Sequence, residues 1–106
     1  MPKPPELSPE QRQAALAKAA QARRVRAELR ERLKMGSLDL AQLFETADGD
    51  EMVGKMKVVA ALESLPGVGK VKARRTMQEI GISETRRLRG LGEQQRKALL
   101  AAFPSG

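Results

Sequence analysis

The segment between Ser8 and Gly36 constrains the fold most, because nothing inside it interrupts a helix. It contains no glycine, and its one proline, Pro9, stands where the first residue of a helix tolerates one. Ser8 is the predicted N-cap, and Gln11 completes a capping box. We therefore predict a single helix from Pro9 to about Met35, roughly 40 Å long at 1.5 Å per residue.

Composition predicts that the rest of the chain is helical as well. Alanine and leucine total 28 of the 106 residues, against 11 for valine, isoleucine and threonine, and no alternation of period two indicates a sheet. Glycines and prolines divide this part into further elements. The predicted elements are a helix from Leu38, capped by Ser37, to about Ala47, a turn at 51–53, helices at 57–65, 69–80 and 93–103, and a short helical turn followed by a basic loop at 82–92. The predicted fold class is all-α, with the long N-terminal helix packed on a small helical domain.

The chain is long enough for one structural domain, in which the sequence distinguishes three parts. Residues 1–7 contain three prolines and are predicted to be a flexible tail, residues 8–36 form the long basic helix, and residues 37–106 form a compact helical domain. Net charge is +5 over the first 36 residues, −4 over 37–66 and +6 over 67–106. An acidic segment between two basic regions predicts two separate contact surfaces.

The net charge of +7 and the pI near 10.4 predict a polyanionic partner. The chain has no Cys, His, Trp, Tyr or Asn, which excludes a disulfide, a zinc or haem site, a Cys nucleophile and a His base. We therefore expect no cofactor, no metal and no enzymatic activity. The sequence contains no stretch typical of a signal peptide or a membrane span, and the apolar side of the long helix is mostly alanine, so membrane binding is not expected.

The long helix carries a row of cations beside its apolar stripe. At 100° per residue, the stripe includes Val25, Leu29 and Leu33, and three glutamates lie on the far side. The cations on the adjacent face are Arg12, Arg23, Arg26, Arg30 and Lys34. A cationic row largely free of carboxylates predicts phosphate contacts, whereas the alternative is a solvated face that maintains solubility.

The sequence LPGVGK at residues 65–70 predicts a tight reversal between two helices, which we call the hairpin. Its proline ends one helix, its glycines permit the reversal, and the small Ala73 lets the second helix approach closely. The free N–H groups at the start of that second helix can bind a phosphate beside the following cations. The predicted contacts are Pro66, Gly67, Val68, Gly69, Lys70 and Lys72, with Arg74 as a secondary one. The alternative is an ordinary turn that uses glycine for geometry alone.

The pattern LPGVG, followed by alanine four residues later, is shared by helical DNA-binding modules that include those of base-excision glycosylases, so an enzyme has to be considered. In glycosylases with this hairpin, the lyase lysine stands two residues after the second glycine, where this chain has Val71. Their catalytic aspartate falls near Arg89, and neither Lys70 nor Lys72 occupies the lysine position. A catalytic role is therefore not predicted.

A second basic element is RRLRGLG at residues 86–92, which we call the arginine loop. Leu88 and Leu91 can anchor it on the core and turn Arg86, Arg87 and Arg89 outward as phosphate contacts. Its two glycines are predicted to let the backbone approach a phosphate closely. The chain has only two aromatic residues and none in this loop, so that duplex backbone binding fits better than stacking on single-stranded bases. The alternative is a surface turn with incidental arginines.

The segment from Met56 to Gly92, with the preceding GKMK and the Ala- and Arg-rich helix, resembles the actinobacterial, mycobacterial-type integration host factor family. The similarity covers about residues 8–103, and LPGVGKVKA together with RRLRGLG makes it specific. The resemblance implies an all-helical, usually monomeric protein with a helix-two-turns-helix module, located in the cytoplasm on the nucleoid. It also implies little sequence preference on double-stranded DNA, bending and compaction of that DNA, effects on topology and transcription, and phage integrase and topoisomerase as protein partners.

The family's binding residues transfer to the hairpin contacts and the three loop arginines named above. The long basic helix resembles the family's second contact region. An rRNA- or ribosome-binding protein is the alternative function, because a ribosomal small-subunit protein has a related module. The missing aromatic residues argue against that alternative.

Overall fold

The computed structural model describes residues 8–104 and confirms the long N-terminal helix. Helix α1 spans Pro9–Met35. The Ser8 side chain accepts a hydrogen bond from the Gln11 backbone N–H at 3.1 Å, and the Gln11 side chain accepts one from the Ser8 N–H at 3.0 Å. Gly36 ends the helix in the left-handed conformation, with φ at +77°. The capping box and the terminating glycine therefore set both ends of α1, as the sequence predicts.

The remaining elements are short helices, which confirms the all-α class. They are α2 (Leu40–Gly49), α3 (Glu51–Gly54), α4 (Val58–Glu63), α5 (Gly69–Ile80), a 3₁₀ turn (Leu88–Gly90) and α6 (Glu93–Ala102). Residues 8–104 contain no β-strand, only an isolated antiparallel bridge between Lys57 and Arg87. Within the same residues, no helix combines the length and the apolar character that crossing a membrane requires. Helices α4 and α5 pack closely together and carry the hairpin between them.

The start of α2 differs from the prediction, since Ser37 is not its cap. Asp39 is the N-cap: its carboxylate accepts from the Gln42 backbone N–H at 2.8 Å, and the Gln42 side chain accepts from the Asp39 N–H at 3.0 Å. Ser37 belongs to the end of α1 instead, because its backbone N–H donates to the Arg32 carbonyl at 3.0 Å. The reciprocal pair satisfies two free N–H groups, which a serine two residues earlier cannot do.

Only the second half of α1 packs against the hydrophobic core. Leu29 and Leu33 are buried, with Leu33 fully inaccessible, whereas Leu16 in the first half is 60% exposed. Helix α1 packs against α3 and α4, and the molecule is elongated, measuring 51 by 32 by 25 Å. The first half of α1 therefore extends beyond the helical body. An isolated helical segment of this length depends on alanine propensity and capping for its stability.

An ion pair ties α6 to α2 on another part of the surface. Arg96 donates to both carboxylate oxygens of Asp48, at 2.6 and 2.8 Å, and its guanidinium lies 5.4 Å from the centroid of the Phe44 ring. The hydrogen bonds from Arg96 hold the pKa of the Asp48 carboxyl below its usual value. A bidentate pair of this geometry positions α6 against the body.

Candidate nucleic-acid interface

The hairpin has the backbone that its glycines predict. Gly67 and Gly69 have φ angles of +74° and +71°, in the left-handed region that L-residues adopt at a cost. A Cβ at either position would meet nothing within 4 Å, so there is room for a side chain. The positive φ is therefore what requires glycine at both positions. Val68 is half-buried against the core and Ala73 is fully buried, which confirms the predicted packing of the reversal.

The beginning of α5 offers unpaired donors at the surface. Val68 occupies the N-cap position and makes no side-chain cap hydrogen bond, so the first-turn N–H groups have no side chain covering them. Lys70 is exposed beside this turn, whereas the Lys72 ammonium lies 5.9 Å from the Phe103 ring centroid. The two lysines therefore flank the hairpin on different sides. Helix-terminal donors next to a lysine form a suitable phosphate site.

A cleft of about 580 Å³ joins the hairpin to α1, and we call it the hairpin cleft. Arg30 and Lys34 line it from α1, and residues 66–70 line it from the opposite side. Glu63 also contributes to its wall, but this carboxylate lies 3.5 Å from the Arg74 guanidinium. Cations of the long helix and the backbone of the hairpin thus face one shared cleft.

A second cleft, of about 430 Å³, continues along α1, and we call it the α1 groove. Its lining residues are Arg23, Arg26, Arg30, Lys55, Met56, Lys57, Ala60 and Arg87. Six of the eight are cations, and none of these lining residues, all in the described part of the chain, carries a carboxylate. Arg30 and Ala60 line both clefts, so the basic surface is continuous from the α1 groove to the hairpin.

The expectation of two separate contact surfaces stays a prediction, and Arg30 and Ala60 mark where the two clefts adjoin. In space, segment 37–66 lies between α1 and the C-terminal elements, but it brings its own Lys55 and Lys57 into the α1 groove. Asp48 and Glu63 of that segment are paired with Arg96 and Arg74. Sequence reasoning missed the two lysines because the segment is acidic on average. The available signal was the alternation in Lys-Met-Lys, with the methionine buried.

The arginine loop is anchored as predicted, but its three arginines differ. Leu88 and Leu91 are buried. Arg86 is half-buried and donates to the Gly90 carbonyl at 2.8 Å, so it closes its own loop rather than pointing freely outward. Arg87 donates to the backbone carbonyl of Lys55.

Arg89 is exposed and makes no side-chain hydrogen bond or ion pair to residues 8–104. A Cβ at Gly90 would lie 3.1 Å from the Arg86 Cδ, so the glycine leaves room for that side chain. The close approach of the loop backbone to a phosphate stays a prediction.

Arg74 is engaged within the protein. Its guanidinium lies 2.9 Å from the Glu84 carboxylate and 3.5 Å from that of Glu63. It therefore connects α5 with the end of α4 and with the turn before the arginine loop. As a secondary phosphate contact it would have to leave or share these partners.

Comparisons with known proteins extend over almost all of this chain. Residues 33–103 match the S13-like H2TH domain family. The integration host factor of Mycobacterium tuberculosis is 61% identical over 101 residues, covering 95% of this chain and 96% of that protein. The integration host factor of Streptomyces coelicolor is 54% identical, covering 95% and 94%. A solved structure of sIHF bound to an 8-bp palindromic DNA superposes with a TM-score of 0.79 at 50% identity, covering 82% of this chain and 98% of that one.

Proposed function

Since the chain belongs to the mycobacterial-type integration host factor family, with an S13-like H2TH domain, we propose that it is a non-enzymatic, nucleoid-associated protein that binds duplex DNA. The observation that carries the proposal is the continuous basic surface from the α1 groove to the hairpin. The DNA-bound sIHF with a similar fold supports it, because that protein binds duplex DNA.

The proposed contacts are of two physical kinds. At the hairpin, residues 66–70 present backbone N–H groups and Lys70, and Lys72 stands at its side. At the arginine loop, Arg87 and Arg89 present guanidinium groups, with Arg86 behind them. Both kinds recognise phosphate oxygens, which carry no sequence information. Because these contacts are directed at phosphates, we propose binding with low sequence specificity.

The finer activities are proposals that rest on family membership. They are bending and compaction of DNA, effects on DNA topology and transcription, and support of phage integration, with phage integrase and topoisomerase as protein partners. Binding as a monomer is a further proposal that rests on family membership. We propose the cytoplasmic nucleoid as its location, because that is where chromosomal DNA provides the ligand.

Structured RNA is the second candidate ligand, favoured by the S13-like character of the matched domain. The two aromatic residues argue against RNA as the ligand. Phe103 lies against Lys72 and Phe44 lies against Arg96, so neither ring is placed where bases could stack on it. A competition assay that adds structured RNA or unrelated duplex DNA to a labelled complex separates the two candidates.

The proposal is tested by gel shift and bending assays on unrelated duplexes across a salt series. Neutralisation of about 5–8 phosphates gives a slope of log K against log salt of roughly −4 to −7. We expect similar slopes on all duplexes and a measurable bend. A slope near zero, or more than about a thousandfold discrimination between unrelated duplexes, would contradict phosphate-based binding.

A further inference from the structure

Arg74 connects the hairpin to the arginine loop through two ion pairs. Its guanidinium lies 2.9 Å from the carboxylate of Glu84, which belongs to the turn at residues 83–85 that leads into the arginine loop. We call this turn the entry turn. The same guanidinium lies 3.5 Å from the carboxylate of Glu63, at the end of α4 and on the wall of the hairpin cleft. Arg74 itself belongs to α5, so one side chain joins both helices that carry the hairpin to the segment that precedes the loop arginines.

The entry turn has few other attachments. Its three residues are exposed, so burial does not fix them. Its hydrogen bonds within the described chain are local, since the Thr85 N–H donates to the Ser83 hydroxyl at 3.2 Å and the Arg86 N–H donates to the Ser83 carbonyl at 3.0 Å. Among the described residues, the pair between Glu84 and Arg74 is therefore the one polar contact that ties this turn to a helix.

The charges of this cluster argue against a direct phosphate contact. One guanidinium faces two carboxylates, so the three side chains together carry one excess negative charge. A phosphate that bound Arg74 would leave Glu63 and Glu84 unpaired beside it. Glu84 also stands only two positions before Arg86, where an acid without a structural role weakens binding to a polyanion.

We propose that Arg74 is a positioning residue: through Glu84 it holds the arginine loop in a fixed place relative to the hairpin, and it does not contact DNA itself. This role takes the place of the secondary phosphate contact that the sequence predicts. A loop held in place before binding loses less conformational entropy when its arginines contact phosphates. The inference rests on the proposed function, in which the hairpin and the arginine loop both bind duplex DNA.

The first test compares Glu84→Gln with Glu79→Gln in the full chain, by fluorescence anisotropy on a duplex of about 20 bp at one salt concentration. Glu79 is exposed on α5 and forms no ion pair with residues 8–104. Loss of a negative charge alone predicts tighter binding by both variants. If the pair positions the loop, Glu84→Gln binds about two- to fivefold more weakly than Glu79→Gln. Equal affinities, or tighter binding by Glu84→Gln, would overturn the inference.

The second test repeats Glu84→Gln in a chain that already carries Arg74→Gln. In that background Glu84 has lost its partner and only repels the duplex, so its replacement is expected to raise affinity, although the same change lowers affinity in the wild-type chain. A direct phosphate contact by Arg74 predicts instead that Glu84→Gln raises affinity in both backgrounds. That result would overturn the positioning role.

Amide hydrogen exchange in the protein without DNA measures whether the ion pair holds the turn. The reporter is the N–H of Arg86, and the reference is the N–H of Met77, which is buried in α5. Glu84→Gln and Arg74→Gln are expected to lower the protection of the reporter several-fold and to leave the reference unchanged, whereas Glu79→Gln changes neither. Unchanged protection at the reporter, or an equal loss at the reference, would overturn a local positioning role.

The outcomes separate this inference from the proposed function. Failure of the wild-type chain to bind duplex DNA would refute the proposed function itself. Wild-type binding with equal affinities for Glu84→Gln and Glu79→Gln would refute this inference alone. Faster exchange at Arg86 without a loss of affinity would refute it as well, since binding would then not depend on where the loop is held.

Discussion

The hairpin and the arginine loop are both short, basic and glycine-bearing, yet their glycines act for opposite reasons. In the hairpin, Gly67 and Gly69 adopt positive φ in open space. In the loop, Gly90 does not have a positive φ, and a Cβ there would lie only 3.1 Å from the Arg86 side chain. The hairpin therefore leaves its backbone donors available to a ligand. The loop uses two of its three arginines to bind its own protein's carbonyls.

The difference shows that a count of basic residues overestimates the number of guanidinium groups that the loop leaves free for phosphates. A guanidinium has five N–H donors, so Arg87 can bind Lys55 and still face a phosphate in the α1 groove. Arg86 is half-buried and committed to Gly90. Arg89 alone among the three is exposed and unpaired within residues 8–104.

The largest effect is expected from removing the loop arginines together. Arg86→Ala/Arg87→Ala/Arg89→Ala should lower affinity for all duplexes alike, by about tenfold or more, and flatten the salt slope by up to about 3 units. Leu88 and Leu91 remain as anchors, so circular dichroism should show unchanged helical content. Fluorescence anisotropy across a salt series measures both quantities.

The single variants refine that prediction. Because Arg86 is committed to its own loop, Arg86→Ala should change the slope less than Arg89→Ala does. A folded triple variant with wild-type affinity and slope would remove the loop from the interface. A loss that depends on sequence would show that the arginines read bases or groove shape.

The next largest effect is expected at the hairpin, from a carboxylate placed at the proposed phosphate site. Gly69→Glu should weaken binding to every duplex by several-fold, since the new carboxylate competes for the N–H groups at the start of α5 and repels the DNA phosphate. Gly69→Ala is the matched control, because it places an L-residue at the same φ of +71° without adding a charge. Anisotropy titrations that give equal losses for both would show that the strained backbone, and not the carboxylate, causes the loss.

A smaller effect is expected on the free energy of unfolding, which tests the role of the hairpin glycines without DNA. Gly67→Ala should lower the free energy of unfolding by about 1–2 kcal/mol, because alanine disfavours a φ of +74°. Gly49→Ala, in open space without a positive φ, should be neutral or stabilising. Urea denaturation measures both. Equal stabilities would mean that the hairpin can relax out of the left-handed conformation.

Gly90→Ala should act through a steric contact and lower the free energy of unfolding by less than Gly67→Ala does. The added Cβ would lie 3.1 Å from the Arg86 Cδ, so the flexible side chain shifts and its hydrogen bond to the Gly90 carbonyl weakens, by about 0.5–1 kcal/mol. If the effect of Gly90→Ala arises from its contact with Arg86, then in a double-mutant cycle Arg86→Ala/Gly90→Ala should lower the free energy of unfolding no more than Arg86→Ala alone. Full additivity of the two losses would separate the glycine from the arginine.

The smallest effect is expected at the Asp48–Arg96 pair, which belongs to neither element. The pKa of the Asp48 carboxyl is lowered in the folded protein, so its stabilising contribution is present above the unfolded value of about 3.8 and is lost as pH falls through the folded value. The stability difference between wild type and Asp48→Asn should shrink as the pH falls below about 4. Glu45→Gln, at an exposed carboxylate, is the control, and a constant difference across the titration would contradict the linkage.

Much of the fold could be predicted because its signals are local. The bounds of α1 and α5 follow from capping residues and glycines within four positions of each helix end. The predicted N-cap of α2 was wrong because serine and aspartate are both good caps. Only the reciprocal hydrogen bonds with Gln42 decide between Ser37 and Asp39. The reversal at the hairpin was predictable for the same reason, since two glycines within three residues define it. Its role as a phosphate site stays a prediction.

By itself, the sequence determined the helices, the reversal at residues 65–70 and the excess of positive charge. The tertiary structure decided which cations share a surface. Lys57 and Arg87 are thirty positions apart and belong to segments of opposite net charge, but one backbone bridge makes them neighbours. Backbone conformation depends on adjacent residues, whereas electrostatic interaction depends on distances in space. An average over a sequence segment therefore cannot locate a basic groove that the folded chain assembles from three separate segments.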